Sequence, residues 1–102
     1  MQEKESPIRL LRRMMELIWY EKAWDDYIWW QIHDRKIRDR INRLIKEISR
    51  LGAMNGIGEP ERLKGDLSGF CSRRTSQEHR LVYRIKNGRL EILACKGHYE
   101  DR

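Results

Sequence analysis

The residues His98 and Tyr99 follow a strand-like run, RLEILACK, that stops at Gly97. Chain termini are usually frayed and free to vary. A histidine and a tyrosine held at the rim of a sheet could instead do chemistry, because a histidine takes up and releases a proton near neutral pH. The sequence therefore offers two alternatives for His98 and Tyr99, a loose tail or part of a site.

Arg80, in the run EHRLVYRIK, is a second group that could act on a ligand. If that run is a strand, Glu78 lies two residues away on the same face, where its carboxylate could orient the guanidinium. The alternative is an ordinary surface cation in a cross-strand pair, worth at most about 1 kcal/mol.

The cysteines and histidines do not have the spacing of a metal site. The chain has two cysteines, Cys71 and Cys95, and three histidines, and no pair of them has ligand spacing. A disulfide framework would normally show more cysteines. We therefore expect free thiols, no metal and no cofactor.

The composition indicates one small basic domain. The chain of 102 residues suits a single domain, and its net charge of +6 favours a polyanionic partner such as RNA or DNA. No apolar run approaches the roughly 20 residues that span a bilayer, and the first residues lack the apolar core of a signal peptide. The expectation is a cytoplasmic protein with no membrane partner.

The elements that would position these groups begin with a strand and two helices. The run ELIWY at 16–20 predicts the strand. Spacing of i, i+3, i+4, i+7 then predicts a helix that packs through Trp24, Tyr27, Ile28 and Gln31. A second helix should run from an Asp34 N-cap to Gly52. Its apolar face comprises Ile37, Ile41, Leu44, Ile45, Ile48 and Leu51. Its basic face suits either solvent or phosphates.

The second half of the chain predicts a loop over 52–66 and then three strands, LSGFCSRR, EHRLVYRIK and RLEILACK. Asn87-Gly88 predicts a two-residue hairpin turn. The resulting register pairs Lys86 with Arg89, Arg84 with Glu91 and Arg80 with Cys95. The element order predicts an α+β fold, with two helices packed on one face of a small antiparallel sheet.

Alternation divides this hairpin into two faces. The apolar face that should meet the helices carries His79, Leu81, Tyr83, Ile85, Leu90, Ile92 and Ala94. The opposite face should be open, and it carries Glu78, Arg80, Val82, Arg84, Glu91, Leu93 and Cys95. Strict alternation separates Arg80 from His98, so we expect the chain to bend at Gly97 and bring His98 over the rim.

Four blocks of the sequence resemble one known family. The blocks LIWYEKAWDDYIWWQ, GEPERLKGDLSGFCSRR, EHRLVYRI and ACKGHY are similar, in colinear order from about Met15 to Tyr99, to the YoeB toxins of bacterial toxin–antitoxin pairs, within the RelE/ParE superfamily. The resemblance implies a RelE-like, microbial-RNase-like domain over residues 15–102. Residues 1–14 would be an N-terminal extension.

The resemblance also implies an activity. YoeB-like toxins are ribosome-dependent endoribonucleases that cut mRNA in the decoding site and so inhibit translation. A ribose 2′-hydroxyl attacks the adjacent phosphorus, and this reaction needs a base, an acid and positive charge around the phosphate, without a metal. Matched to the family's motifs, Glu61 is the base, His98 the acid and Arg80 the stabilising cation, while Tyr99 positions a base or phosphate.

The same match suggests substrate-binding residues and partners. Lys64, Arg73 and Arg74 would hold substrate phosphates, with Arg74 the better candidate of the two arginines. The implied partners are the ribosome, mRNA and a YefM-like antitoxin, and the implied assembly is a homodimer. Two other functions stay open: a toxin of the same fold that poisons gyrase by binding, as in the ParE branch, and a non-catalytic RNA-binding domain.

Overall fold

The computed structural model describes residues 15–98, so the expectations for residues 1–14 and for Tyr99 lie outside the described part. The elements in chain order are β1 (Glu16–Trp19), α1 (Glu21–His33), α2 (Arg35–Leu51), β2 (Glu61–Arg62), a 3₁₀ turn (Gly65–Leu67), β3 (Cys71–Arg74), β4 (Arg80–Lys86) and β5 (Arg89–Ala94). The predicted α+β class is confirmed. Within residues 15–98 no helix is long and apolar enough to cross a membrane.

The strands form one sheet in the order β1-β5-β4-β3-β2. The sheet is mixed and not purely antiparallel, because β1 runs parallel to β5 while the other neighbours are antiparallel. It also has a strand that the sequence did not predict, β2, inside the expected loop 52–66. A strand of two residues is too short to show any periodicity, so only the structure reveals it.

Helix α2 forms where its caps and its apolar face predict it. The Asp34 carboxylate accepts hydrogen bonds from the main-chain N–H groups of Lys36 and Ile37, and Gly52 ends the helix with a φ of 97°. The buried face of α2 comprises Ile41, Leu44, Ile45 and Ile48. It packs in the main core against the helix-facing side of β4 and β5. Leu51, predicted on this face, is 48% exposed at the last position of the helix, next to the Gly52 cap, so the prediction is wrong for this residue.

We expect Leu44→Ala to lower the free energy of unfolding by about 3 kcal/mol, because the Leu44 side chain is fully buried and its loss leaves a cavity. Leu51→Ala, seven residues along the same helix but half exposed, is the matched control and should stay within about 0.5 kcal/mol. Urea denaturation followed by tryptophan fluorescence measures both variants. Equal losses would contradict this packing.

The face through which α1 packs differs from the prediction. Trp24 is 49% exposed and Ile28 is 41% exposed, whereas the buried residues of the helix are Ala23, Asp26 and Trp30. Helix α1 takes this orientation because two of its side chains form hydrogen bonds with the main chain of Cys95. The Asp26 carboxylate accepts the main-chain N–H of Cys95, and the Trp30 indole N–H donates to the carbonyl of Cys95. A hydrophobic stripe cannot reveal this requirement of a neighbouring main chain.

The hairpin turn forms as predicted, since Asn87 and Gly88 both have positive φ, 54° and 72°, as a type I′ turn needs. Arg84 pairs with Glu91 and Lys86 with Arg89. Further along, Tyr83 pairs with Ile92 but Val82 pairs with Ala94, so Leu93 is the extra residue of a β-bulge. The predicted pairing of Arg80 with Cys95 is therefore wrong.

The bulge reassigns the two faces of β5. Cys95 lies in the main core against the helices, while Ala94 joins Leu63 and Val82 in a second cluster on the opposite face. Beyond the bulge the alternation is inverted, so the face that carries Arg80 now receives His98. Gly97, with a φ of 118°, adds the bend that was expected there.

The face opposite the helices is only partly open. Its second cluster is covered by the connection between β2 and β3, and comprises Leu63, Val82 and Ala94 with the partly buried Leu67, Phe70 and Leu93. The prediction of an open face is wrong in this half, because Leu67 and Phe70 of the connection pack over it, and no pattern in the sequence indicated this contact. The uncovered half lies at the end of the sheet that carries Arg80.

Candidate active site

Arg80 and His98 meet at the end of the sheet. Nη2 of Arg80 lies 3.3 Å from Nε2 of His98. A guanidinium can only donate, so Nε2 of His98 is the acceptor and carries no proton in this arrangement. A fixed positive charge and a group able to carry a proton are therefore in direct contact, which is what acid catalysis next to a phosphate requires.

The guanidinium of Arg80 is held by main-chain carbonyls. The residue is 7% exposed, and Nη1 donates to the carbonyls of Ser76, Gln77 and His79 at 3.3, 3.1 and 3.2 Å. The predicted partner, the Glu78 carboxylate, is exposed and does not take this role. Carbonyl dipoles orient the cation without cancelling its charge, so Arg80 remains able to attract an anion.

Helix α1 fixes the start of the segment that leads to His98. The N–H of Cys95 donates to Asp26 at 3.0 Å, and the carbonyl of Cys95 accepts from the Trp30 indole at 2.8 Å. Lys22 reaches the carbonyl of Lys96 at 3.3 Å and pairs with Asp26 at 2.9 Å. These bonds place the backbone of the segment before it reaches the site.

Strand β4 fixes the next residue. The carbonyl of Gly97 accepts from the main-chain N–H of Arg80, and the N–H of Gly97 donates to Nδ1 of His79, both at 3.0 Å. The main chain is thus bonded as far as Gly97, directly before His98. Up to His98 the segment is a placed part of the fold and not a loose tail; Tyr99 is beyond the described residues.

Both cysteines are free, buried thiols. Burial, with a smaller effect of the nearby Asp26 charge, raises the pKa of Cys95 to about 12, and its Sγ lies 3.6 Å from the carbonyl of Ala23. Burial also raises the pKa of Cys71. Thiols that stay protonated are poor nucleophiles and poor metal ligands. Among residues 15–98, no group of three or more His, Cys, Asp or Glu side chains could hold a metal ion.

Arg74 and Glu61 share the face of Arg80. Arg74 is the direct cross-strand neighbour of Arg80 and forms an ion pair of 3.0 Å with Glu59. Glu61 lies on β2, opposite Ser72, and is exposed. Strand and residue spacings place its Cα about 12 Å from that of Arg80. The structure therefore brings Arg74, Arg80 and His98 together and puts Glu61 at the edge of the same face.

The remaining two predicted residues lie in different settings. Lys64 is exposed and directly precedes the 3₁₀ turn, three residues after Glu61. Arg73 is fully buried and lies opposite Leu81 on the helix-facing side of the sheet. Its guanidinium donates to the Tyr83 hydroxyl and to loop carbonyls, those of Gly52, Ala53, Asn55 and Ile57. Arg73 thus anchors the loop after α2, and its guanidinium lies on the side of the sheet opposite to Arg74 and Arg80.

Three residues that position the site were not predicted from the sequence, namely Asp26, Trp30 and His79. A signal existed for each. Asp26 lies four residues before Trp30, so the two share one face of helix α1, and alternation placed His79 on the helix-facing side of its strand. A polar residue on a buried face must have a partner, and here that partner is the main chain of residues 95–97.

Comparison with known proteins agrees with this architecture. Residues 19–99 match the family described as "YoeB-like toxin of bacterial type II toxin-antitoxin system". Toxin YoeB of Escherichia coli K12 is 52% identical over 85 residues, which is 83% of this chain and all of that protein.

Two solved structures share the fold at high identity. YoeB in a YoeB-YefM complex from Staphylococcus aureus is 42% identical, with a TM-score of 0.78 over 83% of this chain and 98% of that one. A YoeB dimer from the same organism is 43% identical, with a TM-score of 0.80 over 84% and 99%. The chain belongs to the YoeB-like toxins of bacterial type II toxin–antitoxin systems.

Proposed function

We propose that this toxin is a ribosome-dependent endoribonuclease that cleaves mRNA and thereby inhibits translation. The observation that supports the proposal most is the contact between Arg80 and His98, 3.3 Å apart, on the face that also carries Arg74 and Glu61. Acid, base and cations are the groups that hydroxyl attack on a phosphodiester needs.

In the proposed reaction the Glu61 carboxylate takes the proton of the ribose 2′-hydroxyl. The 2′-oxygen then forms a bond to the adjacent phosphorus, and the bond from phosphorus to the 5′-oxygen breaks. Protonated His98 gives its proton to that leaving oxygen, so the products are a 2′,3′-cyclic phosphate and a 5′-hydroxyl. Arg80 and Arg74 stabilise the charge on the non-bridging oxygens, and the reaction uses side chains alone.

The contact between Arg80 and His98 also suggests where the phosphate binds. As the acid, His98 must carry a proton on the nitrogen that faces the leaving oxygen, and in the described arrangement Nε2 of His98 accepts from Arg80 instead. A phosphate that enters at this point would displace the present hydrogen bond and accept from both groups.

The ribosome is part of the proposal because the proposed base lies far from the proposed acid and cation. Glu61 is exposed at the sheet edge, about 12 Å from Arg80 between Cα atoms. Something outside the chain must bring the ribose to Glu61 and the phosphate to Arg80. The exposed cations of α2, Arg35, Lys36, Arg43, Lys46 and Arg50, supply a surface for ribosomal RNA phosphates.

The proposed partners follow from the relatives. One solved structure from Staphylococcus aureus is a YoeB-YefM complex and another is a YoeB dimer, so we propose a YefM-like antitoxin and a homodimer for this chain. A net charge of +6 suits an acidic antitoxin segment. Tyr99 remains a proposed positioning group for base or phosphate, outside the described residues.

Primer-extension mapping of mRNA ends in a reconstituted translation reaction tests the function. With the wild-type toxin we expect new 5′ ends within translated codons, and none when the ribosomes are omitted. Halted translation with intact mRNA would contradict the proposal and indicate a binding toxin. Inhibited gyrase supercoiling with normal translation would support the ParE-like alternative instead.

A further inference from the structure

His79 lies between the two halves of the candidate site. Its Nδ1 accepts the N–H of Gly97 at 3.0 Å, which is the residue directly before His98. Its main-chain carbonyl accepts from Nη1 of Arg80 at 3.2 Å and from the N–H of Thr75 at 3.1 Å. One residue thus bonds to the backbone that carries the proposed acid and to the guanidinium of the proposed cation.

The bond to Gly97 defines the state of the His79 ring. A backbone N–H can only donate, so Nδ1 must be unprotonated and the imidazole neutral, with its proton on Nε2. The ring packs edge-on against Trp30, with centroids 4.8 Å apart, and is partly buried. This setting restricts ring rotation and keeps Nδ1 aimed at the main chain.

Gly97 needs such a partner more than another residue would. Its φ of 118° lies in a region that glycine enters freely and other residues avoid. Because glycine has many other conformations open to it, the backbone dihedrals before His98 are set by the bonds on both sides of the residue. Arg80 N–H fixes the carbonyl of Gly97, and His79 fixes its N–H.

We propose that His79 is a positioning residue for cleavage, which holds His98 against Arg80 through the hydrogen bond from Gly97 N–H to Nδ1. The proposal rests on the function proposed above. His79 does not touch the RNA. Its acceptor nitrogen selects the backbone conformation that places the proposed acid, and a shift of about 1 Å in such a group is enough to cost about 10²-fold in rate.

Two variants separate this role from simple packing. In His79→Asn the side-chain Oδ1 occupies the position of Nδ1 and still accepts from Gly97, but the ring that packs on Trp30 is lost. In His79→Phe the ring and its packing stay, but the acceptor is lost. If His79 positions His98, His79→Phe should lose more cleavage activity than His79→Asn. If His79 only packs on Trp30, His79→Asn should lose more.

The first measurement is single-turnover cleavage of ribosome-bound mRNA by folded toxin. We expect His79→Phe to lower the maximal rate constant by about 10–100-fold, with an unchanged toxin concentration at half-saturation. His79→Asn should retain most of the wild-type rate even if it is the less stable protein. Wild-type cleavage by His79→Phe would overturn the proposal, as would equal losses in both variants.

The second measurement does not depend on catalysis. In NMR spectra of histidine-labelled toxin, the His98 ring signals should move towards those of a free imidazole in His79→Phe and stay in place in His79→Asn. If the wild type does not cleave mRNA at all, the proposed function fails, whereas these spectra still test whether His79 positions His98. Identical His98 signals in all three proteins would overturn the positioning role.

Discussion

We expect His98→Ala to lower the single-turnover rate of mRNA cleavage on the ribosome by about 10²–10⁴-fold, the usual size of a general-acid contribution. The variant leaves the 5′-oxygen to depart without a proton, while the exposed strand end keeps its fold. His33→Ala is the matched control, because His33 is an exposed histidine that stacks on Trp29, on helix α1. It should cleave at the wild-type rate.

The proposed base is tested in the same assay. Glu61→Gln should lose a similar factor, because an amide of the same shape cannot take up the hydroxyl proton. Glu78→Gln is the control. It removes an exposed carboxylate two residues before Arg80 and should leave the cleavage rate unchanged, because main-chain carbonyls and not Glu78 orient Arg80. Wild-type rates for both His98→Ala and Glu61→Gln would show that the catalytic mechanism is wrong.

Arg80 is a less clean probe than these two residues. The sequence predicted that Arg80 lies on an open face of the sheet. The structure buries Arg80 and bonds its guanidinium to three carbonyls. Loss of activity in Arg80→Ala therefore has to be compared with the unfolding free energy of the same variant, because removal of Arg80 leaves buried carbonyls without donors.

The second large effect is on stability. We expect Arg73→Ala to lower the free energy of unfolding by at least about 4 kcal/mol, because three loop carbonyls, those of Gly52, Asn55 and Ile57, and the buried Tyr83 hydroxyl lose the N–H donor that Arg73 supplies. Burial raises the pKa of Tyr83, so its hydroxyl stays protonated and donates to the carbonyl of Ala53. The loop after α2 would lose most of its anchors.

The neighbouring arginine supplies the control. Arg74 is exposed and its ion pair with Glu59 is solvated, so Arg74→Ala should cost less than about 1 kcal/mol. Its expected effect is instead on RNA, as weaker binding and a smaller dependence of affinity on salt. Urea denaturation and a salt titration of RNA binding measure the two. Equal losses of unfolding free energy in Arg73→Ala and Arg74→Ala would contradict the finding that Arg73 is buried and Arg74 is exposed.

The best predicted elements were those with long, regular patterns. Helix α2 has an apolar face that repeats over four turns, an aspartate cap and a terminal glycine, and local physics alone determines it. The Asn87-Gly88 turn could be predicted equally well, because few other residue pairs adopt positive φ at two consecutive positions. These features need no knowledge of the rest of the chain.

The errors share one cause, since each depends on contacts between distant segments. The face of α1 is set by the main chain of Cys95, and the bulge at Leu93 is set by the pairing of β5 with β4. Arg73 and Arg74 are adjacent in the sequence but lie on opposite faces of β3. Arg73 therefore bonds to the loop after α2, whereas Arg74 lies beside Arg80 in the candidate site. The residue types alone do not distinguish the roles of these two arginines.

The position of β5 between β1 and β4 has a consequence for how the toxin folds. Glu16 pairs with Arg89, so the sheet closes only when segments from opposite ends of the domain meet, and a high contact order slows such a step. The site depends on β5, because His98 follows it and Arg80 bonds to the segment beyond it. A chain in which β5 has not yet paired with β1 and β4 therefore lacks the candidate site, so the site forms together with this long-range pairing and not before it.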